Sequence, residues 1–126
     1  MIDHIGFAVS DFAKSRAFYA AALAPLGFAP VMDVGKDQTG GYEGTGFGPA
    51  NQPQFWIGTG EKRGGSFHVA FEAATREAVD AFYKAAIAAG GHDNGAPGLR
   101  EHYHPNYYGA FVLDPDGHNI EAVCHR

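Results

Sequence analysis

The chain has 126 residues, 45% of them apolar, with 9 Lys+Arg against 14 Asp+Glu for a net charge of -5. That length buries one core and is too short for two ordinary independent domains, so residues 1-126 read as a single compact domain. No basic run offers a footprint for nucleic acid, no apolar run approaches the ~20 residues of a membrane span, and "MIDHIGF" lacks a signal-peptide leader, so a soluble cytoplasmic protein with no nucleic-acid or membrane partner is expected.

The chain opens with "DHIGF", where a period of two puts Ile5, Phe7 and Val9 on one face of a strand and His4, Gly6 and Ala8 on the other. A helix follows over "FAKSRAFYAAALAPLG". Ser10 or Asp11 is its N-cap, Phe12, Tyr19, Leu23 and Leu26 form its apolar stripe, and Gly27 stops it. Pro25 should distort the last turn. Three short strands are expected near "FAPVMDV", "YEGTGF" and "QFWIG", and then the Gly- and charge-rich linker "TGEKRGG" at 59–65.

The second half opens with "SFHVAF", where Phe67, Val69 and Phe71 share a face opposite His68 and Ala70. Thr75 caps a helix whose buried stripe is Val79, Phe82, Tyr83, Ala86 and Ile87, and Gly90-Gly91 ends it. A weak strand near "HDNG" precedes "YGAFVL" and "NIEAVC". The last two are joined by Asp114-Pro115-Asp116-Gly117, whose Asp-Gly pair supplies the positive backbone angles of a tight turn. On the final strand Asn119, Glu121 and Val123 take one side, and Ile120, Ala122 and Cys124 the other. Cys124 is the only cysteine, which excludes an internal disulfide and a thiolate metal cluster and reads as a small buried hydrophobe.

Adding 64 to each number carries His4-Ile5-Gly6-Phe7 onto His68-Val69-Ala70-Phe71, Phe18-Tyr19 onto Phe82-Tyr83, Ala21-Ala22 onto Ala85-Ala86 and Gly27 onto Gly91. The chain is therefore read as two copies of one supersecondary unit, about 1–58 and 66–126. Each copy places a histidine on the face opposite its large apolar residues, and Glu121 stands mid-strand in a segment fit for burial. A carboxylate there needs a cation or hydrogen-bond donors. If the two sheets curve around one cleft, His4, His68 and Glu121 point into it. Two neutral imidazoles and a carboxylate suit Fe(II), Mn(II), Zn(II) or Ni(II) with open positions for a substrate bound through two oxygens.

The stretches "DHIGFAVSDFAKSRAFYAAALAPLGF", "FHVAF" and "YGAFVLDPDGHNIEAV" together resemble the vicinal oxygen chelate superfamily. It includes glyoxalase I, extradiol dioxygenases, fosfomycin-resistance thiol transferases and bleomycin-resistance proteins. The resemblance covers nearly the whole chain. It implies an α+β fold of two βαβββ modules forming a half-barrel cleft, with His4, His68 and Glu121 on metal-ligand positions.

Several positions depart from these relatives. Trp56 falls where glyoxalase I enzymes place a fourth ligand, and Gln54 reaches that place only with a two-residue shift. Phe111 stands where extradiol dioxygenases carry a tyrosine, leaving Tyr107 or Tyr108 as substitutes and His104 as an upstream histidine. Arg100 alone does not make the cationic cluster that a phosphonate needs. Trp56, Tyr42, Phe47, Tyr107 and Tyr108 are candidates to line an aromatic groove.

The loop "GLREHYHPNYYG" at 98–109 offers His102, Tyr103, His104, Tyr107 and Tyr108, either to close over a metal-bound substrate or to cap the barrel or pack on a second subunit. His92, His118 and His125 read as surface or turn residues. The expected function is a metal-dependent lyase or dioxygenase of the glyoxalase type. Its metal acts as a Lewis acid, Glu121, His104 and Tyr108 serve in catalysis, and Trp56, Tyr107, Phe47 and Phe111 bind substrate. The alternative is a non-catalytic small-molecule binding protein of the bleomycin-resistance type. A homodimer is expected in either case.

Overall fold

The structure is a computed structural model that describes residues 1–61 and 65–126, so part of the expected linker lies outside the described residues. The elements run β1 (Ile5–Ala8), α1 (Phe12–Leu23), a 3-10 turn (Ala24–Leu26), β2 (Ala29–Val34), α2 (Lys36–Thr39), β3 (Gly44–Gly48) and β4 (Phe55–Gly58). Then come β5 (His68–Glu72), α3 (Arg76–Ala88), β6 (His92–Asp93), β7 (Gly98–Leu99), β8 (Tyr108–Leu113) and β9 (Asn119–Cys124). No helix among the described residues is long and apolar enough to cross a membrane.

Local chemistry accounts for the boundaries. The Asp11 side chain accepts from Lys14 N to cap α1, and Thr75 accepts from Ala78 N to cap α3. Pro25 turns the end of α1 into the 3-10 turn, which Gly27 closes in the left-handed region at φ 83°. Of the stripe expected on α3, Val79, Phe82 and Ala86 are buried, whereas Ile87 remains 37% exposed at the edge of the stripe.

The two modules repeat one topology. Sheet one has the order β1-β4-β3-β2 and sheet two β5-β9-β8-β6, with β7 also on β8. In each, the first strand runs parallel to the last. The weak strand expected near "HDNG" is β6, and a second fragment, β7, opens the stretch read as a loop; both are antiparallel to β8. The registers also repeat: Gly6 lies opposite Trp56 in module one, and Ala70 lies opposite Glu121 in module two. Trp56 thus holds in the first sheet the place that Glu121 holds in the second.

One apolar core spans both modules. It includes Phe18, Tyr19 and Leu23 of α1, Phe47, Phe55 and Ile57 of sheet one, Val79 and Phe82 of α3, and Ala110, Ile120 and Ala122 of sheet two. Phe55 and Phe71 meet edge to face across it, with ring centroids 5.2 Å apart. The helix-covered faces of the two sheets therefore look toward one another. Their open faces, which carry the histidines and Glu121, look away from the common core.

A polar junction joins the modules inside this core. The Tyr19 hydroxyl donates to Asp114 at 2.5 Å, and the other oxygen of Asp114 accepts from the backbone of Asp116 and His118 at 2.9 and 2.8 Å. His118, read as a surface or turn residue, closes the turn through its carbonyl but is fully buried. Its ring packs against both Phe7 and Phe67, which stack on each other, and its Nδ1 accepts from Phe67 N at 2.9 Å. This burial results from a contact between modules that the turn sequence alone does not contain. Cys124 is buried and free, as expected.

Candidate functional site

Glu121 is the natural starting point, because it is a carboxylate only 2% exposed on the open face of sheet two. The parallel register of β5 with β9 brings His68 beside it, and His68 Nε2 lies 3.0 Å from Glu121 Oε1. The other carboxylate oxygen, Oε2, accepts a hydrogen bond from the Tyr107 hydroxyl. Burial, and then the bond to Glu121, raise the Tyr107 pKa well above the usual tyrosine value, so the phenol stays protonated. Both oxygens of Glu121 thus have partners, and neither partner is a permanent cation. The imidazole is half open to solvent, with 54% of its side-chain surface exposed.

Module one contributes His4, one residue before the first paired residue of β1 and not within the strand as expected. His4 Nδ1 lies 2.7 Å from Asp3 Oδ1, which fixes the proton on Nδ1 and leaves Nε2 with its lone pair. This arrangement is typical of a metal-ligating histidine with an orienting carboxylate, and the adjacent "DH" is the only signal of it in the sequence.

The three expected ligands do not meet within one chain. Among the described residues no three His, Cys, Asp or Glu side chains converge on a point where a metal could sit. The sequence left open whether the trio belongs to one chain or two, and the back-to-back packing of the modules keeps His4 apart from His68 and Glu121 within this chain. A cavity of about 390 Å³ at the seam between them is walled by His4 and Ile5 on one side and Val69 to Glu72 on the other, without His68 or Glu121.

The remaining expected residues divide by strand parity. Phe111 lies opposite Glu121 in the register of β8 with β9, with its ring centroid 6.4 Å from that of His68, so it stands beside the His68–Glu121 pair. Arg100 covers Phe111 at 5.5 Å and donates to the carbonyls of Gly98 and Ala96, so its guanidinium is occupied by backbone. Tyr108 faces the opposite way. Its hydroxyl donates to Asp80 on α3 at 2.6 Å, and Arg76 covers its ring, so it is no catalytic group at Glu121. Phe47 is fully buried against Tyr19 and Phe55 and does not line a groove.

His104 is also differently placed. Asn106 N donates to its Nδ1 at 3.1 Å, which assigns its proton to Nε2, 2.6 Å from Nδ1 of His125. Both ring nitrogens are therefore occupied, and His104 touches Tyr107 only ring to ring, with centroids 5.3 Å apart. Tyr103 packs between His102 and Tyr107, completing an aromatic wall beside Glu121.

On the open face of sheet one, a cavity of about 800 Å³ is lined by Asp3, His4, Asn51, Gln52, Gln54 and Trp56 among others. Asn51, Gln52 and Asp3 were missing from the expected site, because nothing in their local sequence sets them apart from ordinary loop residues, and Gln54 was weighed only as a displaced fourth ligand.

Comparison with known proteins agrees with this architecture. A glyoxalase/bleomycin resistance protein from Albidiferax ferrireducens T118 superposes with a TM-score of 0.79 at 28% identity, covering 98% of each chain. A glyoxalase I mutant from Zea mays gives a TM-score of 0.70 at 21% identity over 97% of this chain and 46% of that one. A mutant of the fosfomycin resistance protein FosX from Listeria monocytogenes, complexed with Mn(II) and 1S,2S-dihydroxypropylphosphonic acid, gives 0.69 at 20% identity over 98% and 90%. No curated protein matches the sequence. The family model matches residues 1–122, and the chain belongs to the Glyoxalase/Bleomycin resistance protein/Dioxygenase superfamily.

Proposed function

We propose that the protein is a divalent-metal enzyme of the glyoxalase and dioxygenase type, acting on a small organic substrate that chelates the metal through vicinal oxygens. The observation that carries this reading is the pair His68 Nε2 and Glu121 Oε1 at 3.0 Å, a nearly closed-off carboxylate under a half-open imidazole. A buried carboxylate whose partners are an imidazole and a phenol fits a site that a cation completes.

His68 and Glu121 hold the ion from module two, and His4 completes the set from a second copy of the chain. Two features support a homodimer. Among the described residues β1 is hydrogen-bonded only to β4 and β5 only to β9, so each leaves a free edge. Beside those edges Ile2, Ile5 and Phe67 are 80%, 43% and 43% exposed, an apolar surface suited to self-association. The donor set of two imidazoles and one carboxylate fits Fe(II), Mn(II), Zn(II) or Ni(II).

When bound, such a metal supplies Lewis acidity to the substrate oxygens. The protein supplies the rest. Tyr107, held protonated, orients the Glu121 carboxylate and does not act as a base. Of the two expected proton carriers Glu121 stands beside His68, whereas His104 is bonded to His125 and to the backbone of Asn106, so Glu121 is the group that moves the substrate proton. Phe111 forms the apolar side of the pocket next to His68.

Trp56, at the register position equivalent to Glu121, favours a second reading, a non-catalytic small-molecule binding protein of the bleomycin-resistance type. Elemental analysis of the purified protein beside His68→Ala separates the two. One equivalent of a first-row metal that is lost in the variant is expected. Protein that is metal-free and takes up none of Fe(II), Mn(II), Zn(II) or Ni(II) would overturn the enzyme reading and leave the binding protein.

A further inference from the structure

The open face of sheet one is built almost without side chains. Gly44, Gly46 and Gly48 of β3 point to it, while Thr45 and Phe47 point to the core. The glycines make room for two aromatic rings. A Cβ added at Gly46 would come within 2.8 Å of the Trp56 indole, and one at Gly6 within 2.8 Å of Trp56 Cβ. A Cβ at Gly44 or Gly58 would meet ring carbons of Tyr42 at 2.8 and 2.6 Å. The two rings therefore lie down on the glycine strands.

This flat platform adjoins His4. Trp56 and His4 share the wall of the 800 Å³ cavity with the amides of Asn51, Gln52 and Gln54. No lysine or arginine lines it among the described residues, and Asp3 is its one charged wall residue. An anionic ligand would meet Asp3 without a compensating cation. A neutral planar ligand would gain a stacking surface and amide hydrogen bonds.

We infer that this cavity binds an uncharged, planar, conjugated group by stacking on Trp56, and that this group is the part of the substrate that the metal does not hold. The inference deepens the metal reading and rests on His4 being a ligand beside the platform. It selects among substrates: flat neutral molecules are accepted, whereas phosphonates and peptide-like thiols with free carboxylates are disfavoured.

The test uses metal-stripped protein with 2-naphthamide and 2-naphthoate, which share a ring system, lack vicinal oxygens and differ in charge. Trp56 is the only tryptophan, so one indole N–H resonance in the nitrogen-correlated NMR spectrum reports on the platform. Saturable movement of that resonance by the amide is expected, with the carboxylate binding at least about tenfold more weakly, and Trp56→Leu lowering amide affinity about tenfold by calorimetry. Equal or tighter binding of naphthoate, calorimetric binding that leaves the indole resonance unmoved, or no binding of either probe would overturn the inference. If Trp56→Leu does not fold, the wild-type resonance alone decides. Naphthamide binding in a protein that takes up no added metal would sink the metal reading and leave the stacking site standing without it. Metal retained with no indole response would sink this inference only.

Discussion

The Asp3 carboxylate lies 2.7 Å from Nδ1 of His4, on the far side of the ring from Nε2. A carboxylate in that position fixes the tautomer and raises the basicity of the other nitrogen. Asp3→Ala is therefore expected to weaken metal affinity while leaving the fold intact. Such partners contribute roughly 10- to 100-fold, and the lower end applies here because Asp3 is 93% exposed. Competition against a chromogenic chelator measures this, and an unchanged affinity would show that His4 is not held as a ligand.

The open faces of the two sheets look away from their shared core, so the proposed ligand set requires two chains. His4→Ala and His68→Ala should each lose the metal when prepared alone. Unfolded together and refolded, they should recover about a quarter of the wild-type metal, because half of the dimers are mixed and each mixed dimer has one of two sites intact. Recovery of none, with mixed dimers demonstrated by mass spectrometry, would place the trio within a single chain and contradict the packing described here.

Tyr107 donates to Glu121 Oε2, so Tyr107→Phe leaves one oxygen of a carboxylate that is only 2% exposed without its donor. Loss of about 1–3 kcal/mol is expected in metal-stripped protein. Chemical denaturation with and without metal measures it, and the loss should shrink when a cation is present to satisfy the same carboxylate. Equal losses in both states would mean that the hydrogen bond serves only the loop.

The site was legible where strand parity governs it. The period of two on β9 put Glu121 opposite Ile120 and Ala122, and matching "QFWIG" to "NIEAV", one residue beyond the 64-residue offset, identified Trp56 as the counterpart of Glu121, which the two registers reproduce. Parity also explains the misplaced residues. In Gly44-Thr45-Gly46-Phe47 the glycines mark the open face, but an aromatic residue in a candidate pocket strand is easily assigned there. Tyr107 and Tyr108 are adjacent at the start of a strand, and a shift of one residue sends one to Glu121 and the other to α3. His118 and the separation of His4 from His68 depend on how the modules pack against each other, which no pattern within a module encodes.

That packing makes a last prediction. Tyr19 on α1 and Asp114 in the β8–β9 turn, 95 residues apart, form the one buried side-chain hydrogen bond described between the modules. Burial, followed by the Asp114 charge and the hydrogen bond to it, holds the Tyr19 hydroxyl well above its ordinary pKa of 10.0. A folded-state value raised in this way means that the native state keeps a proton that the unfolded chain releases. The associated stability is complete below pH 10.0 and declines as pH rises beyond it. Tyr19→Phe should cost about 1–3 kcal/mol near neutral pH, because it leaves a buried carboxylate oxygen without its donor, and should flatten the alkaline decline. Urea midpoints from pH 8 to pH 11 in both proteins measure the two effects. A variant that keeps the wild-type alkaline slope would assign that slope to the other tyrosines and leave Tyr19 with a packing role only.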